Sequence, residues 1–330
     1  MRKKRFYIPG ILALLAILYF AGPEPASPDY YNTVVGDRTS NLKLSNYLET
    51  PEGVKPNNHT RCIHKGSPTP YVILYIHGFS ASPEEGSPTV EQISSHFGWN
   101  AVSPRLHAHG LLGDNPLLEF RADSAWASAV KGLELARAFG DSIIVISTST
   151  GGALATRIAE LEPRVAAMIY YSPNVSPADP SAFILNNPWG GHIAKLVIGS
   201  NFRDVEINEP YYEKYWNRFY RVESLPNMQE LVETGFANEA IASLNMPVMI
   251  GAWYVNDSIQ DEVVSVPAMR DFFEKIPSAK KVFVEFDAGT HVIANGHYNK
   301  NIRNLIDTSL EFLEEQGFQP VAQDTLNSQL

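Results

Sequence analysis

The sequence contains almost no cysteine and has no excess of basic residues. Cys62 is the only cysteine among 330 residues, so no disulfide bond can form within the chain. No group of cysteine and histidine residues has the spacing of a zinc site. The 26 lysines and arginines are outnumbered by 36 aspartates and glutamates, which gives a formal charge of -10. Because a phosphate backbone needs a basic surface, this balance argues against a nucleic-acid partner.

Internal repeats and low-complexity tracts are also absent. Hydrophobic residues make up 44% of the chain and charged residues 19%, which is the composition of a packed globular protein. The length allows either one α/β domain with a large insertion or two small domains. Composition alone leaves the number of domains and the oligomeric state open.

The first 27 residues (1–27) differ in composition from the rest. Basic residues occupy positions 2–5, an apolar run follows over 6–22, and a proline-rich segment comes next. This order is typical of an export signal or a membrane anchor. A cut at the end of the run would leave Tyr19 or Phe20 where signal peptidase requires a small residue, so we favour an uncleaved anchor over a cleaved, secreted form. Because basic residues stay in the cytoplasm, the body of the protein is expected to be exported and to lie in the periplasm or another extracytoplasmic space.

Residues 28–58 are polar and contain prolines, which is typical of a linker. Over 59–330, short apolar runs alternate with segments of helical period, and the alternation is interrupted once, over about 173–246. This pattern predicts one α/β domain with a mostly parallel central sheet, helices on both faces and an inserted helical cap. The predicted strands are 71–76, 99–103, 142–147, 165–171, 247–253 and 280–286, and the predicted helices are 90–97, 124–139, 152–161, 266–276 and 301–315.

Ser149 lies in the segment VISTSTGGALA, directly after a predicted buried strand and just before a predicted helix. A serine at such a turn can act as a nucleophile, because the tight turn exposes its hydroxyl above the sheet. The turn requires small residues two positions away on each side, and these are Ser147 and Gly151. Ser147 replaces the first glycine of the usual G-x-S-x-G pattern. Taken alone, the motif also fits an ordinary helix N-cap.

A base and an orienting acid for this serine are available downstream. His291 follows the last predicted strand after a short glycine-containing loop, which predicts that it reaches the same carboxyl edge of the sheet as Ser149. His297 is a weaker alternative, because it enters the final predicted helix. The loop WYVNDSIQDEVVS offers Asp257 and Asp261 as the acid. We favour Asp261, which directly precedes a Glu-Val-Val run, and keep Asp257 as the alternative.

Two backbone N–H groups are candidates to stabilise the negative charge that develops on a carbonyl oxygen when a serine attacks it. One belongs to Thr150, the residue after the candidate nucleophile. The other belongs to Phe79 in the segment HGFSAS, where His77 and Gly78 make a tight turn after the first predicted strand. The sequence therefore predicts an oxyanion hole formed by Phe79 and Thr150.

These segments resemble the α/β-hydrolase superfamily and, within it, carboxylesterases and monoacylglycerol-lipase-like serine hydrolases. The resemblance is based on IHGFSAS, SPRLHAHG, the tryptophan of DSAWAS, STSTGG, QDEVVS and AGTHVI, which extend over residues 71–313. The order serine, aspartate, histidine along the chain is that of the superfamily. In SPRLHAHG, Ala108 stands where the lipase-like pattern has glycine, and His107 and His109 fit either a pocket lining or a hydrogen-bonded loop.

The resemblance implies that Ser149, Asp261 and His291 form a catalytic triad, with Phe79 and Thr150 as the oxyanion hole. It implies hydrolysis of a small-molecule carboxylic ester through an acyl-enzyme, without a metal or organic cofactor. An acyltransferase on the same triad is one alternative, and a non-catalytic binding protein of the same fold is another.

The expected cap contains the segment NEPYYEKYWNRFYRV, whose six aromatic side chains crowd one predicted helical stretch. They fit either packing of that helix onto the domain or an apolar lid over an acyl site. A lid beside a membrane anchor would suit lipid-derived or otherwise hydrophobic esters. The six residues are Tyr211, Tyr212, Tyr215, Trp216, Phe219 and Tyr220.

Overall fold

The computed structural model describes residues 7–32 and 52–321. The strands are β1 (Arg61–Ile63), β2 (Thr69–Ile76), β3 (Asn100–Ser103), β4 (Gly140–Thr148), β5 (Val165–Tyr171), β6 (Phe202–Asp204), β7 (Phe219–Arg221), β8 (Val248–Asn256), β9 (Ile259–Gln260) and β10 (Lys281–Phe286). The α-helices are α1 (Tyr7–Phe20), α2 (Thr89–Phe97), α3 (Ala122–Phe139), α4 (Gly151–Leu161), α5 (Gly190–Ile198), α6 (Pro210–Tyr215), α7 (Leu225–Gly235), α8 (Asn238–Ala242), α9 (Val266–Lys275) and α10 (Ile302–Glu315).

An eight-stranded sheet forms the centre of the described structure, in the order β1-β3-β2-β4-β5-β8-β10, with β9 paired to β8. The pairs from β3 through β10 are parallel, and only the short strands β1 and β9 pair antiparallel within this sheet. The mostly parallel sheet is confirmed, and all six predicted strands are present. The sequence pattern does not reveal β1 and β9, because runs of three and two residues are too short to show a period.

Helices cover both faces of the sheet. Along β2, Val72, Leu74 and Ile76 face one core while Ile73 and Tyr75 face the other, as the two-residue period of a strand requires. The first core also contains residues of α3, α4, α7 and α9, and the second contains residues of α2 and α10. Because the strands are buried on both faces, they are continuous apolar runs in the sequence.

The chain between β5 and β8 forms the insertion expected over 173–246. In its second half, α7 and α8 pack against α4, and Leu231 and Ile241 belong to the first core. In its first half, α5, the two-stranded sheet of β6 and β7, and α6 follow one another. The first half also contacts the domain, since Tyr220 of β7 belongs to the first core.

The aromatic segment of the insertion is not one helical stretch. α6 ends at Tyr215, and β7 (Phe219–Arg221) pairs antiparallel with β6, a strand environment that suits aromatic side chains. Tyr212, Tyr215 and Trp216 are buried around Ala81, which belongs to the loop after β2. Four of the six aromatic side chains are buried, so this segment packs onto the domain and covers the loop after β2.

The N-terminal helix α1 exposes its apolar side chains, and Ile11, Leu14, Ile17 and Phe20 are each more than half exposed. The Trp189 indole N–H donates hydrogen bonds to carbonyl groups of the last turn of α1. In the described range α1 has 14 residues, which is about 21 Å of helix. Among the described residues, no helix has the length and hydropathy needed to cross a membrane. Residues 1–6 of the expected anchor segment 1–27 lie outside the described ranges.

Part of the expected linker is packed on the domain, whereas its residues 33–51 lie outside the described ranges. Tyr30 is buried, and its ring contacts Trp126 edge-on at a centroid distance of 5.1 Å. The Arg157 guanidinium lies 4.5 Å from the centre of the same ring, and the Tyr30 hydroxyl is 2.8 Å from Thr234 Oγ1. Tyr30 thus fastens the N-terminal segment to α3, α4 and α7.

We expect Tyr30→Ala to lower the free energy of unfolding by about 3 kcal/mol, because loss of a buried aromatic ring leaves a cavity between three helices. Urea unfolding measures this change. Tyr31→Ala is the matched control, since Tyr31 is exposed and its replacement should change the free energy of unfolding by less than about 0.5 kcal/mol. Equal losses in the two variants would show that Tyr30 is not part of the core.

Candidate active site

Ser149 occupies a tight turn between β4 and α4. Its φ is +53°, a left-handed conformation that costs a non-glycine residue about 1–2 kcal/mol. Ser149 N donates to Tyr171 O at 3.1 Å, and Asn174 N donates to Ser149 O at 3.0 Å, so both sides of the turn are held. A methyl group on Gly151 would lie 2.3 Å from Ile76 O. Only glycine fits at this position, as the steric requirement of the turn predicts.

Ser147, which replaces the usual glycine, lies within β4 and pairs with Ile76 of β2 and Tyr170 of β5. Its side chain is buried, and its hydroxyl has no hydrogen-bond partner in the part of the chain that the structure describes. The extra hydroxymethyl group is therefore accommodated inside the sheet, and the turn at Ser149 keeps its left-handed form.

Asp261 and His291 are joined by a hydrogen bond of 2.7 Å between Asp261 Oδ2 and His291 Nδ1. The other carboxylate oxygen, Oδ1, accepts from the backbone N–H groups of Val263 and Val264 at 2.9 and 3.1 Å. The Asp261 side chain is fully buried, and the His291 side chain is 13% exposed. Three hydrogen bonds thus hold the carboxylate against the imidazole.

The alternative acid and base lie elsewhere. Asp257 is exposed, and its Oδ1 accepts a hydrogen bond from the Tyr254 hydroxyl at 2.8 Å. His297 forms an exposed ion pair with a glutamate of the insertion. Of the four candidate side chains, the structure brings together Asp261 and His291.

The pKa values of this pair are shifted in opposite directions. Burial by itself raises the pKa of Asp261, but the charge of His291 and the three hydrogen bonds outweigh burial and hold this pKa below its ordinary value. Burial lowers the pKa of His291, but the charge and hydrogen bond of Asp261, together with the charge of Glu85, raise it above its ordinary value. The carboxylate is therefore ionised at neutral pH and stabilises the imidazolium form of His291.

Ser149 and His291 lie at the same edge of the sheet, after β4 and after β10. Gly78 lies beside Ser149, since a methyl group on it would be 3.0 Å from Ser149 Cβ and 3.2 Å from Glu85 Oε1. Glu85 in turn interacts electrostatically with His291. Across the described residues, no hydrogen bond joins Ser149 Oγ to the imidazole. Such bonds are often long in unliganded enzymes and shorten when substrate binds.

The backbone N–H groups of Phe79 and Thr150 donate to no other described residue, which is what oxyanion donors require. Their surroundings are fixed by hydrogen bonds. Asn174 Nδ2 donates to Thr150 Oγ1 at 3.1 Å, and His77 Nε2 accepts from Leu106 N at 3.1 Å. Burial lowers the pKa of His77 to about 4, so this ring is neutral at pH 7 and holds the loop after β2 in place.

The loop SPRLHAHG lies beside these N–H groups. Ala108 has a φ of +61°, the left-handed conformation that explains why the lipase-like pattern has glycine there. His109 is buried, its Nδ1 lies 2.8 Å from His107 O, and its ring meets Phe79 edge-on at 5.8 Å. Both histidines belong to a hydrogen-bonded loop, and His109 in addition lines the small cavity beside Phe79 and Thr150. His109 packs against Phe79 of the segment HGFSAS (77–82), which is called the oxyanion loop below.

Glu85 is a buried carboxylate of this site that sequence reasoning missed. It lies in the 3-10 turn Pro83–Gly86, is 2% exposed, and accepts a hydrogen bond from Gly78 N at 2.6 Å. The segment SPEEG is typical of a polar surface turn. The two adjacent glutamates close to HGF were the available signal, but the sequence does not show which of them points inward.

A serine in a left-handed turn, a buried aspartate–histidine pair and two free N–H groups lie at one edge of a parallel sheet. This arrangement is that of the serine hydrolases that use an α/β scaffold. Residues 73–298 match the model of the alpha/beta hydrolase family. The chain belongs to this family, and the predicted α/β-hydrolase fold is confirmed.

Solved structures of several lipolytic enzymes and esterases are similar to this chain. A structure from work on the metagenome-derived lipolytic enzymes LipS and LipT has a TM-score of 0.62 and 18% identity, covering 79% of this chain and 99% of its own. The monoacylglycerol lipase of Paleococcus ferrophilus has a TM-score of 0.53 and 12% identity, covering 77% and 98%. A soluble variant of the monoglyceride lipase of Saccharomyces cerevisiae has a TM-score of 0.53 and 13% identity, covering 82% and 98%. A comparison with curated protein sequences gave no significant match. At these identities the likeness establishes the fold.

We expect the pKa of His291 to lie above 6.5 and to fall in Asp261→Asn, because the amide removes the negative charge that stabilises the imidazolium while burial continues to favour the neutral ring. Titration of the histidine ring by NMR measures both values. Asp257→Asn is the control and should leave the titration unchanged. A His291 pKa that responds to Asp257 and not to Asp261 would contradict the pairing.

Proposed function

We propose that the protein hydrolyses carboxylic esters through an acyl-enzyme formed on Ser149, with His291 as the base and Asp261 as the orienting acid. The proposal depends chiefly on the buried hydrogen bond of 2.7 Å between Asp261 and His291, at the sheet edge where Ser149 occupies its left-handed turn. Membership of the alpha/beta hydrolase family supports it. The lipolytic enzymes and monoacylglycerol lipases of similar fold support an ester as the substrate.

In the proposed mechanism, Asp261 accepts the Nδ1–H of His291, which leaves Nε2 free to take the proton of Ser149. The serine oxygen attacks the ester carbonyl, and the N–H groups of Phe79 and Thr150 stabilise the oxyanion. His291 then gives its proton to the leaving alcohol. A water molecule then gives a proton to His291 and attacks the acyl-enzyme, and His291 returns the proton to Ser149 as the acid leaves. No step uses a metal or organic cofactor.

We propose a lipid-derived or otherwise hydrophobic ester as the substrate, because the space beside the oxyanion donors is apolar. Phe120, Leu154 and Leu231 line a cavity of about 10 Å³ next to Phe79 and Thr150. This volume is too small for an acyl chain, so side chains must move to admit one. The buried aromatic residues of the insertion lie over the neighbouring loop, which makes this segment a lid candidate whose displacement would open the site.

We expect Ser149→Ala to lower the rate of p-nitrophenyl ester hydrolysis by at least about a thousandfold, because the nucleophile is lost. Esters of graded chain length assayed with the full chain measure both the loss and the preferred acyl length. Ser147→Ala is the matched control, since its buried hydroxyl has no partner among the described residues and should be dispensable. Undiminished turnover in Ser149→Ala would contradict the assignment, and transfer to an added alcohol would reveal an acyltransferase.

We also propose that residues 1–27 keep the protein at a membrane, with the hydrolase domain on the extracytoplasmic side. Support comes from the basic residues 2–5 and from α1, a helix without charged residues whose apolar side chains are exposed. An exposed apolar helix gains free energy when its side chains enter lipid. Secretion after cleavage is the alternative.

We expect the full chain to sediment with membranes, and Leu14→Lys with Ile17→Lys to release it, because two charges oppose entry of α1 into lipid. Fractionation followed by mass spectrometry measures the location and the N-terminus. Leu196→Lys is the control, since it places a charge on an apolar residue of α5 that is even more exposed than Leu14 and Ile17. A released wild-type protein that begins after the apolar run would establish cleavage and secretion instead.

A further inference from the structure

Glu85 is a buried carboxylate that the proposed mechanism does not use. Among the described residues it forms no ion pair with a lysine or an arginine, and the charged group of opposite sign that acts on it is His291. The adjacent Glu84 differs, since it pairs with Arg61 at 2.6 Å. Burying a carboxylate without a cationic side chain destabilises a protein unless hydrogen bonds compensate.

The hydrogen bonds of Glu85 join three parts of the molecule. Gly78 N donates to Glu85 Oε2 at 2.6 Å, and the Tyr75 hydroxyl at the end of β2 lies 3.2 Å from the same oxygen. Trp216, just after α6 of the insertion, packs around Ala81 of the same loop and favours the ionised form of this carboxylate. The Tyr75 hydroxyl is in turn 2.9 Å from Thr148 Oγ1, directly before the serine turn. One side chain thus links the insertion, the loop after β2 and the strand that ends at the nucleophile.

The hydrogen bond from Gly78 to Glu85 lies directly beside Phe79, a candidate donor of the oxyanion hole. The Gly78 N–H donates to Glu85. The N–H of Phe79, the next residue, has no partner among the described residues and is available to a substrate oxygen. Both Ser149 and Glu85 approach Gly78 closely, since a methyl group on Gly78 would lie 3.0 Å from Ser149 Cβ and 3.2 Å from Glu85 Oε1. A shift of Glu85 would therefore move the loop relative to the serine.

We propose that Glu85 is a positioning residue, which holds the oxyanion loop through Gly78, connects it to the insertion through Trp216, and adds a second negative charge facing His291. This inference rests on the proposed esterase function. Asp261 then acts on the imidazole through a hydrogen bond at Nδ1, and Glu85, in the turn Pro83–Gly86, acts on it through its charge. Burial raises the pKa of Glu85, while the Gly78 N–H and the charge of His291 oppose this rise and favour the ionised carboxylate. The other titratable groups near Glu85 are the hydroxyls of Tyr75 and Tyr212, and both are neutral at pH 7 because burial raises their pKa values.

The test compares Glu85→Gln with Glu84→Gln in the full chain. Glutamine keeps an oxygen that accepts from Gly78 but removes the charge. We expect kcat to fall about 10- to 100-fold, as for loss of positioning near reacting groups, with little change in KM. The acidic limb of the kcat/KM profile should move to lower pH, because loss of the Glu85 charge lowers the pKa of His291 and the imidazole is then neutral at lower pH. Glu84→Gln should change neither quantity.

Trp216→Phe tests the link to the insertion, since it removes the indole N–H and keeps an aromatic ring. We expect kcat to fall less in Trp216→Phe than in Glu85→Gln. In the double variant the total loss in kcat should be smaller than the product of the two single losses, because the two side chains interact. An unmoved pH limb with unchanged kcat in Glu85→Gln, or fully independent losses, would overturn the proposal. Ser149→Ala distinguishes failure of this inference from failure of the proposed function. If Ser149→Ala stays active, the proposed esterase mechanism is wrong.

Discussion

The active-site geometry depends on one close approach, between the start of α4 and the end of β2. A methyl group on Gly151 would lie 2.3 Å from Ile76 O, so the helix can begin against the neighbouring strand only because glycine has no side chain. This contact places the turn of Ser149 beside the loop that contains Gly78 and Phe79. The candidate nucleophile and the candidate oxyanion donors are neighbours for that reason, although about seventy residues separate them in the chain.

Asp261 and His291, which meet at this edge of the sheet, differ in what favours their charged forms. Asp261 is ionised in spite of its burial, because two valine N–H groups and the imidazole surround it with donors. The balance at His291 differs, since burial opposes its charge and only the nearby carboxylates of Asp261 and Glu85 favour it. An imidazole held in this way can accept a proton and return it within one catalytic cycle.

The insertion is tied to the rest of the domain by polar contacts as well as by its aromatic side chains. Lys55 Nζ donates to the carbonyl oxygens of Glu213 and Trp216 and to Asn217 Oδ1, at 3.0 to 3.1 Å, and so holds the end of α6. Asn217 N donates to Ser80 O at 2.9 Å. These contacts connect the segment before β1, the insertion and the oxyanion loop, so a movement that opens the site must break them together.

The sequence alone predicted the order of six strands and five helices, because strands buried on both faces are apolar runs and amphipathic helices show their period locally. It also identified Ser149, Asp261 and His291 as candidates, because strand ends in a parallel sheet share one edge. The tertiary structure was needed to show that Asp261, and not Asp257, contacts His291. It was also needed to show that Glu85 is the inward-facing glutamate and that the aromatic segment forms a short helix and a strand. Each of these depends on contacts between residues far apart in the chain, which local patterns do not encode.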